Sequence, residues 1–192
     1  MRGERAQARA LCEEALALGR AASFEKAIAE ALLILAYFER DDGRIEEALT
    51  LSDEAAERAA AIGWRWWEGG ALLHAAESAF RLYGPLEDGG RARRSLETAH
   101  AIGDRQHTVY ALALLSWSAA AAGEAERAGR LWGAIEAEAE RGPIGQWEAE
   151  RDDYAQHLSA VAGPDFDRGF AEGKTMTPDQ SVEYGLSVDS PA

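Results

Sequence analysis

The sequence predicts an all-α protein built as a tetratricopeptide-like solenoid of antiparallel helix hairpins, an α-α superhelix closed by C-terminal capping helices. Three observations carry that expectation. Glycine-ended helical runs recur at about 40 residues in two interleaved series: "ALG" at 17–19, "AIG" at 61–63 and "AIG" at 101–103 form one, and Gly43, Gly84 and Gly123 form the other. Proline is scarce, with 5 in 192 residues, and alanine is abundant, so most segments favour helix. No stretch alternates apolar and polar residues long enough to make a useful strand.

The elements follow in order. A lone helix is expected at 3–18. Hairpins follow at 23–62, 64–102 and 104–141, each an A helix and a B helix separated by a glycine able to adopt the left-handed conformation that ends a helix. Ser23 is placed as the N-cap of the first A helix. Further helices fit 146–162, 164–172 and 178–186; the last opens on Thr177 as N-cap, Pro178 at the first helical position and Gln180 as partner in a capping box. Residues 1–142 thus hold the repeats, and 143–192 the capping helices and tail.

Small residues choose among solenoids. Five positions after the second glycine series stand Ala48, Gly89 and Ala128, where a tetratricopeptide repeat brings its two helices close; seven before stand Ala36, Glu77 and Ser116. Glu77 departs from the preference for a small side chain. A HEAT-like array is the second choice.

Composition excludes several functions. A net charge of −14 and a pI near 4.7 oppose attraction to phosphate backbones, so no direct nucleic-acid binding is expected. Residues 143–192 alone hold ten Asp/Glu against three Lys/Arg. That charge either attracts a basic partner segment or keeps a helical cap soluble. A single cysteine, Cys12, forms no intramolecular disulfide, and a reducing cytoplasm is the natural compartment. Apolar runs such as "ALLILAYF" at 31–38 fall short of a membrane span, and the first residues lack an export-signal pattern. Glu97 and His100 share a helix face, but a carboxylate-bridged metal centre needs more such ligands, so no metal or cofactor is expected. Neither G-x-S-x-G nor G-x-G-x-x-G occurs. The chain is read as no enzyme; an all-α site without recognisable motifs is the remote alternative.

The C-terminal third carries a family resemblance. Arg130-Leu131-Trp132-Gly133-Ala134, the Gly142-Pro143 linker, Tyr154, Phe170 with Glu172-Gly173, and Ser181-Val182 resemble the end of the helical-repeat region in actinobacterial signal-transduction ATPases and AfsR-like or LuxR-type transcriptional regulators. Such regulators carry a phosphate-binding loop and often a helix-turn-helix reader, and neither is present in this sequence. The resemblance implies a sensor or interaction module working on an upstream effector domain. Helix 3–18 looks like a B helix without its A partner, so its bare face is expected to pack on upstream chain or on a second copy as a homodimer.

In such an array the A helices line the concave face. Aligned on the glycines, the stripes are Glu30, Leu33, Tyr37 and Arg40; Ala71, His74, Ser78 and Arg81; and Tyr110 with Trp117. Tyr37, Arg40, Trp67, His74, Arg81, Tyr110 and Trp117 are the candidate binding residues, for a protein partner or a small ligand. The competing reading makes these aromatics contacts between neighbouring repeats. In "WRWW", Trp66 is expected in the core, Trp67 at the groove edge and Trp64 exposed. The expected function is a non-enzymatic module of a bacterial regulator, and the alternative a small-molecule sensor with a pocket between repeats and C-terminal helices.

Overall fold

The computed structural model describes residues 2–88 and 90–187. They form α1 (Arg2–Ala22), α2 (Glu25–Asp41), α3 (Ile45–Ala61), α4 (Arg65–Tyr83), α5 (Arg91–Ala101), α6 (Arg105–Ala121), α7 (Ala125–Ala139), α8 (Trp147–Ala155), a 3-10 helix (Gln156–Val161), α9 (Pro164–Gly173) and α10 (Pro178–Leu186), with no strand among the described residues. From α1 to α7 each helix packs on its sequence neighbours, and α2, α4 and α6 also touch one another as an inner layer. This is an all-α solenoid of antiparallel hairpins. No helix among the described residues is long and apolar enough to cross a membrane.

The inter-helix glycines do what their spacing suggests. Gly43, Gly63, Gly84, Gly103 and Gly123 have φ between 69° and 95°, a region that costs a residue with a Cβ about 1 kcal/mol or more. Ala36, Ala48, Ser116 and Ala128 are fully buried where the two helices of a hairpin meet. The Ser116 hydroxyl donates to the Ala128 carbonyl across that contact at 2.9 Å. Gly89, the third small position, lies outside the described residues.

Two boundaries differ from expectation. Gly19 does not end α1, which continues to Ala22. Instead Gly19 is buried where Ile28 of α2 crosses, a Cβ there meeting Ile28 Cγ1 at 3.1 Å. The left-handed residue is Ser23, at φ 52°, so Ser23, Gly63 and Gly103 form the true series, 40 residues apart. Ser23 therefore closes α1 and does not cap α2, whose N-cap is Phe24. Farther on, the second helix of the 64–102 hairpin, α5, starts only at Arg91, because Asp88 accepts from the Gly90 and Ala92 backbone N–H groups, both at 2.8 Å, and holds the chain in a turn. The capping box at Thr177 forms in full, with Gln180 N–H donating to Thr177 Oγ1 at 3.2 Å and Thr177 N–H to Gln180 Oε1 at 2.9 Å.

After α7 the chain leaves the hairpin pattern. α8 and the 3-10 helix lie on α6, and α10 packs across α5, α6 and α7. α9 runs alongside α7 in the same direction, since Gly129 faces Phe166 and Phe170 while Gly133 faces Phe170 and Lys174. Gly129 and Gly133 of α7 and Gly169 and Gly173 of α9 put backbone on backbone: a Cβ on any of them would land on a carbonyl oxygen of the other helix. The largest apolar cluster draws on all of this, from Leu96, Leu112 and Leu131 to Ile144, Trp147, Leu158 and Val182. The capping helices and the later hairpins therefore share one core.

The tryptophans reverse their expected roles. Trp66 is 50 % exposed, whereas Trp67 packs on the Ile28, Leu32 and Leu72 cluster and donates its indole N–H to the Ala29 carbonyl at 3.0 Å. Trp64 is half-buried and stacked on Trp67, ring centroids 4.9 Å apart, with the Lys26 ammonium above it at 4.6 Å. The cause lies in the first helical turn. Side chains there lean toward the N-terminus, so Trp66 overhangs the start of α4 beside His107, while Trp67, 100° round, faces α2. Trp67→Ala is expected to cost about 3 kcal/mol in urea denaturation and Trp66→Ala about 1 kcal/mol or less; equal losses would contradict this division.

Candidate ligand-binding cleft

The inner layer and α8 enclose a two-lobed cleft. One lobe, of about 470 Å³, is lined by Tyr37 and Arg40 of α2, Gly70, Leu73, His74 and Glu77 of α4, Gln106, His107 and Tyr110 of α6, and Gly145, Gln146 and Glu150. The other, of about 520 Å³, is lined by Arg40, Glu77, Arg81, Trp117, Glu150, Asp153, Tyr154, Gln156 and His157. Arg40, Glu77 and Glu150 belong to both, which makes them the shared waist.

Of the seven candidates, Tyr37, Arg40, His74, Arg81, Tyr110 and Trp117 line this cleft. Trp67 does not; its place in the α2–α4 contact corrects the expectation of a groove-edge residue. Leu33, Ala71 and Ser78 of the expected stripes are buried in the packing, and the Ser78 hydroxyl donates to the His74 carbonyl. Tyr37 and Trp117 serve both readings: each lines the cleft and also bridges repeats, Tyr37 edge-on to His74 at 4.4 Å between ring centroids and Trp117 edge-on to Phe80 at 5.0 Å.

Glu77 is the residue that sequence reasoning passed over. Its carboxylate accepts from Arg40 of α2 and from the Tyr154 hydroxyl of α8, tying the first hairpin to the capping helices through the second. The oddity at a small-residue position was its signal, because a charged group is kept there only if it finds partners. Glu150, Asp153, Tyr154 and His157 were also missed, since they arrive from helices about 40 residues or more along the chain. Tyr110 donates to Glu150 at 2.7 Å. Burial first, and then the facing carboxylate, pushes both the Tyr110 and Tyr154 hydroxyls well above the usual phenol range, so both remain donors. Trp117 stacks on His157 at 3.6 Å with planes 9° apart, and burial lowers the His157 pKa.

His74 is 2 % exposed, and burial, with Arg40 and Arg81 nearby, pushes its pKa down to about 3. Its tautomer follows from its partner. Ser52 Oγ lies 2.7 Å from both the Ala48 carbonyl oxygen and His74 Nδ1. The single hydroxyl hydrogen must go to the carbonyl, which cannot donate, so Nδ1 carries its own proton and donates to Oγ. Nε2 is then a bare acceptor, and it has no hydrogen-bond partner among the described residues.

A pH dependence results. In the unfolded chain His74 titrates near about 6.5, so between that value and the folded value of about 3 the unfolded state holds the extra proton. Stability is full above about pH 6.5 and falls as the pH drops through this window, by about 2 kcal/mol at pH 5. His157 adds to it with the same sign; the lowered carboxyls Asp42, Asp104 and Glu126 act in the more acidic range. Urea denaturation at pH 7 and pH 5 checks this. His74→Gln is expected to lose about 2 kcal/mol less between the two pH values than the parent protein.

A smaller cavity of about 230 Å³ lies on the outer side among α6, α7 and the start of α10, floored by Val109, Leu112, Ala134 and Val182. Glu97 and His100 are both exposed, and His100 Nε2 lies 3.9 Å from Asp179. No group of three or more His, Cys, Asp or Glu side chains is placed to hold a metal ion among the described residues.

Fold and cleft together define a class: an all-α helical-repeat array over whose inner face α8 and the 3-10 helix fold back. Comparison with known protein families, with curated proteins and with solved structures finds no match to this chain.

Proposed function

We propose that this chain is a non-enzymatic recognition module whose inner-face cleft takes a small ligand or a single protruding side chain of a partner protein. The observation that carries this reading is the course of α8 and the 3-10 helix, which lie on α6 and close the inner face into a cleft. An extended peptide needs an open groove along the inner layer, and here Tyr154 bonded to Glu77 stands across it. The two lobes, about 470 and 520 Å³, suit a compact ligand. The resemblance of the C-terminal third to bacterial transcriptional and signalling regulators supplies the context: occupancy of the cleft would bias the contact of α8 with α4 and α6, and so the surface offered to an effector domain.

A second contact surface supports assembly with other chains. Ala8, Leu11, Ala15 and Leu18 form an exposed stripe on α1, Leu11 at 58 % and Leu18 at 63 %. One period on, Ala48 and Ala55 of α3 occupy the positions of Ala8 and Ala15 and are fully buried. The stripe fits a further helix or a second copy of this chain, and light scattering across a concentration series separates monomer from dimer.

The cleft reading is tested by thermal-shift measurements against a panel of amines, carboxylates, polyols and nucleotides, on the parent protein, on Trp117→Ala in one lobe and on Tyr37→Ala in the other. A saturable rise in melting temperature that either variant loses supports it. No rise with any probe, or a rise that both variants keep, overturns it.

A further inference from the structure

The unpartnered imidazole nitrogen inside the cleft specifies a ligand chemistry. In the lobe of about 470 Å³ two acceptors stand without a full set of partners. His74 Nε2 is one, bare and buried, with the other ring nitrogen engaged by Ser52 on the far side. Glu150 is another: Tyr110 occupies Oε2, and Oε1 accepts no hydrogen bond among the described residues. Glu77 is filled by Arg40 and Tyr154. Of the donors on this lobe, the Tyr110 hydroxyl and Arg40 already point hydrogens at these carboxylates, while the Tyr37 hydroxyl and the Gln106 and Gln146 amides can each donate or accept. Charge agrees with hydrogen bonding, since two glutamates face one arginine there and His74 stays neutral. The Tyr37 and Tyr110 rings line the same lobe, and Tyr37 already holds the Arg40 guanidinium 5.2 Å from its ring centroid, an instance of the attraction of such rings for cations.

We propose that this lobe is a site for a protonated primary amine, whose N–H groups donate to His74 Nε2 and to the Glu150 carboxylate between the Tyr37 and Tyr110 rings. The ammonium comes from a free alkylamine or from a lysine side chain of a partner protein. An anion meets two carboxylates and an imidazole that cannot donate. A quaternary ammonium satisfies the rings and the charge but leaves Nε2 unpartnered. The proposal rests on the cleft being a binding site, and adds which chemistry it selects.

Calorimetric titration with butylamine, tetramethylammonium, butyrate and inositol tests it, with a Gly/Ser peptide carrying one central lysine as a further probe. Butylamine is expected to bind saturably, at least tenfold tighter than tetramethylammonium, and butyrate not at all. Glu150→Gln, which keeps an acceptor for Tyr110, is expected to weaken butylamine at least tenfold with its melting temperature little changed, and His74→Gln to weaken it likewise. If the peptide binds more tightly than butylamine, the source is a protein lysine; if more weakly, a free amine. Absence of butylamine binding, equal affinity for tetramethylammonium, or indifference to Glu150→Gln overturns the proposal. Butyrate or inositol binding that Tyr37→Ala abolishes would overturn the amine while leaving the cleft as a binding site. Silence from every probe would remove both.

Discussion

Replacing Gly133 by alanine is expected to detach α9 from α7 and to cost about 3 kcal/mol or more. An added methyl is usually favourable inside a helix, by up to about 1 kcal/mol over glycine. Here it would fall on the Phe170 carbonyl oxygen, and Gly173→Ala would fall in the same way on that of Arg130. A side chain in the way can turn aside, but a backbone carbonyl moves only with its whole helix. The two helices would have to separate, taking Phe166 and Phe170 from the core cluster they pack against. Gly69 offers the contrast, since a Cβ there meets Thr98 Cγ2 at an ordinary 3.7 Å. Gly69→Ala is therefore expected to leave stability unchanged or raise it by about 0.5 kcal/mol. Hydrogen exchange read by mass spectrometry checks the mechanism: Gly133→Ala should lose protection in 164–186 and keep it in α2 to α4. A parent-like melting curve for Gly133→Ala would refute the crossing.

The second large effect is expected at Trp147. It is the one buried residue of α8, at 1 % exposure, and its ring meets Tyr110 at 5.4 Å, Tyr154 at 5.6 Å and Trp132 at 5.8 Å between centroids. Trp147→Ala removes the anchor that holds α8 against α6 and α7, at about 3–5 kcal/mol. Its indole N–H has no partner among the described residues. Trp147→Phe discards that orphaned donor along with part of the ring, so it should cost clearly less than alanine, about 1–2 kcal/mol. Because α8 carries Glu150 and Tyr154, ligand affinity in the cleft should fall with Trp147→Ala even under conditions where most molecules remain folded. Urea denaturation and the thermal-shift panel read both effects.

The resemblance in the C-terminal third involves some of the same atoms. Gly133, Phe170 and Gly173, quoted for their similarity to the end of regulator repeat regions, sit at the α7–α9 crossing, and Tyr154 stands in the cleft wall. The pattern of glycines four apart, Gly129 with Gly133 and Gly169 with Gly173, was legible as two small faces. Nothing in either segment said that they face each other, because that pairing joins residues 40 apart across an intervening helix.

Local chemistry was readable wherever a few neighbouring residues decide. The left-handed glycines, the Thr177 capping box and the small residues between paired helices depend on contacts within one turn or one hairpin, and the period carried the inner-face stripe to within a residue. Tyr37, Arg40, His74, Arg81, Tyr110 and Trp117 consequently meet in one cleft. Gly19 and Ser23 show the limit. A glycine serves equally as a cap or as a gap for a crossing helix, and only the crossing of Ile28 distinguished them.

What the sequence by itself determined, then, is the set of helices, their alternation and the face each turns inward, all fixed by periodicities of a few residues. The tertiary structure alone decided which tryptophan of the cluster is the anchor, that Glu77 joins α2 to α8, and that α8 and the 3-10 helix return over the inner face. Those choices depend on side chains brought together from distant parts of the chain, where neighbouring geometry, and not residue type, settles which buried group finds a partner and which, like His74 Nε2, is left without one among the described residues.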